Sequence, residues 1–242
     1  LITSRNTEDM IPIYTVCTGP NYTPKLVERF YRQLQDHVNL PLHVHCYTTF
    51  DKSEFGKHIE VIPIEEDDGR RQWHKVDIFN MAPKDQVCLI SDLDWTFIGD
   101  VTDIFDTDVR TNELVAPYRW WTRFKGEGFT INGGLYKFIG GQFTYIPEVF
   151  HKSPRYWMQR YIIDLLVAHP PVNGEQNFVD ETVRRFDGSI KYFEPRDCFA
   201  RKPADTIHAV EYNSLYLKEF GEDWLWMGEE FNPKIRMIQS IV

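Results

Sequence analysis

The chain has 242 residues, enough to bury the core of one large domain, and its 42% hydrophobic and 26% charged residues are ordinary for a globular protein. A net charge of −9 argues against a nucleic-acid backbone as the main partner. The 15% of aromatic residues favours a ligand with flat faces, such as a sugar ring or a nucleobase.

Cysteine usage and hydropathy predict the compartment. The longest strongly apolar run, residues 161–168, contains Asp164 and is too short to span a bilayer, and no signal peptide is visible. The cysteines lie far apart without zinc-site spacing, which is typical of reduced thiols in a reducing compartment. We therefore expect a cytoplasmic chain without a transmembrane segment, although its start at Leu1 leaves room for an upstream anchor. The cysteines are Cys17, Cys46, Cys88 and Cys198.

The first half of the chain alternates strands and helices. Residues 1–10 are polar and patternless, which predicts a disordered terminus ahead of a single domain over residues 11–242. An apolar strand at 11–18 is followed by Thr23-Pro24, the N-cap and first position of a helix that runs to about His37. Further strands are predicted at 42–47, 59–64 and 86–91, and a helix at 73–80.

This alternation predicts an α/β fold, with a Rossmann-like, mostly parallel sheet flanked by helices. Ligands of such sheets bind beyond the carboxyl ends of the strands, which directs attention to Thr18 and to the residues from Asp92 to Asp94. The second half is less regular. Its predicted strands are 114–117, 133–138 and 191–193, and its predicted helices are 154–167 and 175–186.

The acidic pair Asp92 and Asp94 follows directly on an apolar strand. If the strand geometry persists, both carboxylates project to one side, with Cα atoms about 6–7 Å apart. Two like charges at that spacing repel each other unless a cation lies between them, and a hard divalent ion suits oxygen ligands. The alternative interpretation, with a structural role only, is an aspartate pair that caps a turn.

Two catalytic chemistries use this pattern. A-type glycosyltransferases use a D-x-D pair to hold Mn²⁺ or Mg²⁺ on a donor diphosphate, whereas haloacid-dehalogenase-like phosphatases use D-x-D-x-[TV] with an aspartyl nucleophile. Residues 92–96, Asp-Leu-Asp-Trp-Thr, fit both patterns, and Glu175 with Asp180 mimics a second acidic motif of the phosphatases. A sugar-binding protein without activity is a third interpretation. The local motif does not decide between them.

Several segments resemble the glycogenin-like glycosyltransferases. Residues 14–22 resemble the opening strand of that family, in which Thr18 and Tyr22 would hold the uridine. Residues 73–77, Trp-His-Lys-Val-Asp, resemble its lysine-bearing helix. The resemblance covers about residues 11–210 in the right order. Its other segments are 99–106, 131–135 (Ile-Asn-Gly-Gly-Leu), 174–176 (Gly-Glu-Gln) and 206–208 (Thr-Ile-His).

The resemblance implies a single-domain A-type fold that moves a sugar from a nucleoside-diphosphate donor, most simply a UDP-sugar, to a hydroxyl of a glycan or other acceptor. It implies Mn²⁺ or Mg²⁺ as the cofactor, bound by Asp92, Asp94 and His208. It implies Glu175 and Gln176 as catalytic residues. The implied donor-binding residues are Thr18, Tyr22, Lys75, Asp92, Leu93, Asn132 and Gly133.

Two departures from the family pattern affect the mechanism. The Lys-Pro-Trp that usually follows the metal histidine is missing after His208, so Lys75, Arg201 and Lys218 are the candidates for neutralising the diphosphate. Glu175 stands where the family has aspartate, which leaves the stereochemical course open. The phosphatase interpretation places its acidic pair on the first strand and gives Thr18 no role, so we favour the transferase.

Overall fold

A computed structural model describes residues 10–19, 22–65, 69–118, 130–161, 174–194, 199–202 and 236–240. No helix within these ranges is both long enough and apolar enough to cross a membrane. Cys17, Cys46 and Cys88 are buried free thiols, whereas Cys198 lies outside the described residues. The predicted disordered terminus also lies almost wholly outside them, so the domain boundary stays a prediction.

The described elements follow the predicted order closely through the first hundred residues. The strands are β1 (Ile11–Cys17), β2 (Leu42–Thr48), β3 (Ile59–Pro63), β4 (Val87–Ser91), β5 (Trp95–Phe97), β6 (Glu113–Ala116), β7 (Leu135–Ile139), β8 (Ser189–Tyr192), β9 (Phe199–Lys202) and β10 (Met237–Ser240). The helices are α1 (Pro24–His37), α2 (Lys75–Met81), α3 (Thr102–Phe105), α4 (Tyr145–Lys152), α5 (Pro154–Arg160) and α6 (Gly174–Arg185). Short 3-10 turns lie at Lys52–Glu54 and Arg71–His74.

The main sheet has the strand order β3-β2-β1-β4-β7-β6-β8. All neighbouring pairs are parallel except those of β7, which runs antiparallel to β4 and β6. The α/β fold with a mostly parallel sheet is therefore confirmed. Because β1 and β4 pair in parallel, with Ile13 opposite Leu89, Thr18 and Asp92 come out at the same edge of the sheet.

The core lies on both faces of this sheet. Successive side chains of a strand point to opposite faces, so Leu89 joins one buried cluster and Ile90 the other. The first cluster holds α1 through Val27, Phe30 and Leu34, which recur at helical spacing. Thr23 is the N-cap of α1, as predicted, but its side chain makes no capping hydrogen bond.

The structure departs from the predicted elements in the second half. The predicted strand 133–138 begins only at Leu135, because the residues before it form a turn. The predicted helix 154–167 is confirmed as far as Arg160, and its last part lies outside the described residues. Helix α4 and the small sheet β5-β10-β9 were not predicted.

Candidate active site

The acidic pair lies in a turn between β4 and β5, so the expectation that the strand geometry persists through Asp94 is wrong. The backbone N–H of Asp92 donates to Gly134 O at 2.8 Å, which anchors the turn to the start of β7. Leu93 is fully buried in the core, and its carbonyl accepts from Arg29 Nη2 at 2.9 Å. This inward anchor fixes the backbone between the two carboxylates, and a part for Leu93 in donor binding stays a prediction.

Lys75 lies at the centre of the site and is only 3% exposed, so it is not a surface lysine. It is the first residue of α2, and its Nζ lies 2.8 Å from Asp92 Oδ1 and 2.5 Å from Glu175 Oε1. It also donates to Gly133 O at 3.0 Å. Segments far apart in the chain thus converge on one ammonium group.

The charges in this cluster are strongly coupled. Burial alone would lower the pKa of Lys75, but the carboxylates of Asp92 and Glu175 outweigh it and raise that pKa well above its ordinary value. Burial raises the pKa of Glu175, against the lowering effect of Lys75, and the charge of Asp92 raises it further. Among the described residues, one ammonium group thus faces two carboxyl groups.

The turn before β7 packs against the start of α6. Gly133 N donates to Gln176 Oε1 at 2.7 Å. A Cβ on Gly133 would lie 2.7 Å from Gln176 Cβ and 2.9 Å from Glu175 Oε1, so a side chain does not fit at that position without displacing α6. Because a backbone N–H only donates, the Gln176 oxygen must face it. The Gln176 Nε2 then has no hydrogen-bond partner among the described residues.

Asp94 is 7% exposed and contacts a residue that the sequence did not single out. Gln239, on β10, places its Nε2 3.3 Å from each oxygen of the Asp94 carboxylate. The Gln239 Oε1 accepts from Asn132 Nδ2 at 2.8 Å. No sequence signal pointed to Gln239, because 145 residues separate it from Asp94.

Thr18 and Tyr22 lie at the same edge. Thr18 is buried just beyond the end of β1, and Tyr22 packs against the core cluster that contains Leu93. Burial raises the pKa of the Tyr22 hydroxyl, and the charges of Asp94 and Asp92 raise it further.

The predicted metal site is described only in part. Asp92 and Asp94 would supply hard oxygen ligands. His208 and Lys218 lie outside the described residues, and only the backbone of Arg201 is described. Within the described ranges, no three His, Cys, Asp or Glu side chains gather into a metal site. The two carboxylates fit a divalent cation in charge and chemistry. Because His208 lies outside the described residues, the metal and its third ligand stay predictions.

Solved structures of glycosyltransferases resemble this chain. No family model matches the sequence, and no curated protein matches it. The apo form of the glycosyltransferase GlyE of Streptococcus pneumoniae TIGR4 has a similar structure, with a TM-score of 0.59, 15% identity, and 96% of this chain and 55% of that one covered. The galactosyltransferase LgtC, in complex with donor and acceptor sugar analogs, gives a TM-score of 0.57 at 14% identity, with 96% and 87% covered.

The chain has the glycosyltransferase A-type fold. It spans little more than half of GlyE and most of LgtC. At this identity the likeness establishes the fold and not the activity, and the narrower resemblance to glycogenin-like enzymes stays a prediction.

Asp180 bears on the phosphatase interpretation, which needs it as a second acidic group. Its Oδ2 accepts from the backbone of Thr130 at 2.7 Å and of Ile131 at 3.2 Å, and Arg184 Nε lies 2.5 Å from its Oδ1. Asp180 is therefore occupied in holding the segment before the glycine turn. With the A-type fold, this leaves the phosphatase interpretation without its second carboxylate.

Proposed function

We propose that this chain transfers a sugar from a nucleoside-diphosphate sugar, most simply a UDP-sugar, to a hydroxyl of a carbohydrate or other acceptor. The observation that carries the proposal is the convergence of Lys75, Asp92 and Glu175 within hydrogen-bond distance at the carboxyl edge of an A-type sheet. Ligands of open α/β sheets bind at that edge. GlyE is a glycosyltransferase and LgtC a galactosyltransferase, which supports the same chemistry here.

The residues of the site take separate parts of the donor in this proposal. Asp92 and Asp94, with His208, would hold Mn²⁺ or Mg²⁺, which when bound acts as a Lewis acid toward the leaving diphosphate. Thr18 and Tyr22 would hold the nucleoside, and Asn132 and Gly133 the donor sugar.

Glu175 and Gln176 are proposed to act near the anomeric carbon. The raised pKa of the buried Glu175 carboxyl suits a group that takes a proton from the acceptor hydroxyl. Gln176 directs its amide N–H groups away from Gly133 and would donate to a substrate oxygen. Lys75 holds the Glu175 carboxylate in place and so fixes its direction.

The proposal is tested by ligand-induced thermal shift. We expect UDP with Mn²⁺ to raise the melting temperature of the wild-type protein, and the shift to disappear in Asp92→Asn, because that variant loses a charged oxygen ligand. Asp36→Asn is the matched control, since Asp36 is exposed on α1. Comparing the shift within each variant removes the effect of the substitution on stability itself. Release of UDP from a panel of UDP-sugars then reports turnover and the donor sugar.

Two results would contradict the proposal. One is stabilisation by orthovanadate with Mg²⁺ but not by UDP with Mn²⁺, which would revive the phosphatase interpretation. The other is an equal UDP and Mn²⁺ shift in Asp92→Asn and in wild type, which would remove the acidic pair from the site.

A further inference from the structure

A chain of hydrogen bonds leads from the backbone of Gly134 to the carboxylate of Asp94. Gly134 N donates to Asn132 Oδ1 at 2.8 Å, and Asn132 Nδ2 donates to Gln239 Oε1 at 2.8 Å. The Gln239 amide is then shared between the two Asp94 oxygens, each 3.3 Å away. Asn132, Gln239 and Asp94 are all at least nine-tenths buried, so this chain is shielded from competing water.

The direction of this chain is fixed at both ends. The backbone N–H of Gly134 can only donate, so Asn132 must turn its oxygen toward it and its NH₂ toward Gln239. An ionised Asp94 can only accept, which requires the NH₂ of Gln239 on its side. Each amide satisfies these requirements in only one orientation, because a flipped amide would break its hydrogen bonds at both ends.

The small sheet holds Gln239 in this place. In the antiparallel pairing of β10 with β5, Gln239 lies opposite Trp95, the residue that follows Asp94. Trp95 Nε1 donates to Gly134 O at 2.6 Å. A Cβ on Gly134 would lie 2.8 Å from Gln239 Nε2 and 2.9 Å from Trp95 Nε1, so the three groups are in close contact.

The described side-chain partners of the two aspartates differ in charge. Asp92 is paired with the ammonium of Lys75, whereas the partner that Gln239 offers to Asp94 is neutral. A neutral donor orients a carboxylate without cancelling its charge. We propose that Gln239 is a positioning residue, which holds Asp94 in the orientation that binds the divalent cation. The inference rests on the proposed metal-dependent function.

The test is direct Mn²⁺ binding in the presence of saturating UDP, measured from the free-Mn²⁺ signal in electron paramagnetic resonance. Gln239→Met keeps the length of the side chain and removes both of its hydrogen-bonding roles. Loss of such an outer partner typically weakens metal affinity 10–100-fold. We expect at least about a tenfold weaker Mn²⁺ affinity, with a raised KM for Mn²⁺ and a smaller change in kcat at saturating Mn²⁺.

A matched control lies on the same strand. Met237 is fully buried on β10 and lies opposite Phe97, so Met237→Leu perturbs the packing of the strand and leaves the Gln239 side chain unchanged. It should lower stability and leave the Mn²⁺ affinity unchanged. Equal losses of affinity in both variants would show that Gln239 acts only by holding β10 in place.

A second variant covers the case in which Gln239→Met does not fold. Gln239→Glu is isosteric and still accepts from Asn132, but it places an oxygen beside Asp94. The two carboxylates then repel unless a cation joins them, so Mn²⁺ should raise the melting temperature of this variant more than that of wild type.

The possible failures are distinguishable. If wild-type protein with UDP binds no Mn²⁺, both the metal-dependent function and the inference fail. The inference alone fails if wild type binds Mn²⁺ and both variants behave like it. In that case the Mn²⁺ affinity of Gln239→Met and the Mn²⁺-induced thermal shift of Gln239→Glu equal the wild-type values.

Discussion

Lys75 shows how a single charge organises this site. It is almost completely buried, and such burial is costly for an ammonium unless acidic groups compensate it, as Asp92 and Glu175 do. The stability of the pair and the geometry of the site therefore depend on the same contacts. The role of Lys75 can therefore be tested by unfolding experiments, without any substrate.

Replacing Lys75 by Met should destabilise the protein by about 3–5 kcal/mol, because it leaves Glu175 buried next to the charge of Asp92. Adding Glu175→Gln should recover part of that loss, since it removes one of the two remaining charges. Urea unfolding of wild type, both single variants and the double variant measures this coupling. Lys57→Met, at an exposed position, should change the free energy of unfolding little. Additive effects would show that the pair does not interact.

Gly133 offers a second residue-scale test. In Gly133→Ala the new Cβ would meet Gln176 Cβ at 2.7 Å and Glu175 Oε1 at 2.9 Å, so the start of α6 must shift. Overpacking of this kind costs typically about 1–3 kcal/mol. Gly99→Ala is the matched control, because its Cβ would meet Arg236 Cγ only at 3.4 Å, an ordinary contact. Equal melting temperatures for the two variants would contradict the close contact at Gly133.

Three of the site residues that the sequence singled out stand at the end of a recognisable strand or the start of a helix. Asp92 follows an apolar run, Lys75 begins α2, and Glu175 lies in the first turn of α6. Gln239 has no such marker. Its role depends on β10 lying beside β5, and that pairing joins residues far apart in the chain.

The elements that were predicted carry a strong local pattern. β1, β2 and β4 are long apolar or alternating runs, and α1 has a cap and an apolar stripe. β5, β9 and β10 have three or four residues each and form a sheet only with one another. Helix α4 was not predicted because it contains Pro147, a residue that usually breaks a helix. Here Pro147 lies within the first turn, where a proline costs no helical hydrogen bond.

Strand β2 offers a prediction about pH. Burial, and then the neighbouring His43, lower the pKa of His45 to about 4, against the opposing charge of Glu60. The pKa of a histidine in an unfolded chain is about 6.5. The contribution of His45 to stability is therefore complete above that pH and is lost as the pH falls toward about 4.

His45→Phe tests this pH dependence, because it keeps a ring against Tyr14, whose centroid lies 4.7 Å from that of His45, and removes the titration. We expect the wild-type free energy of unfolding to fall more steeply between pH 7 and pH 5 than that of the variant. Urea unfolding at both pH values measures the difference. Parallel falls would mean that another group controls this range.

At the scale of the whole molecule, the sheet joins the two core clusters. Leu89 and Ile90 are neighbours on β4, and their side chains pack into opposite clusters. Leu135 and Tyr136 on β7 do the same. Because the same strands carry both clusters, loss of packing in one cluster should disturb the other. We therefore expect both clusters to unfold in one transition.

Leu89→Ala and Ile90→Ala place one cavity on each face of the sheet, since both side chains are fully buried. Each should lower the free energy of unfolding by about 2–5 kcal/mol. In both variants, as in wild type, far-ultraviolet circular dichroism and tryptophan fluorescence should report the same midpoint. The described chain holds a buried tryptophan in each cluster, Trp95 with Leu89 and Trp73 with Ile90, so fluorescence senses both faces. A fluorescence transition that precedes the loss of secondary structure in only one variant would show that its face unfolds separately.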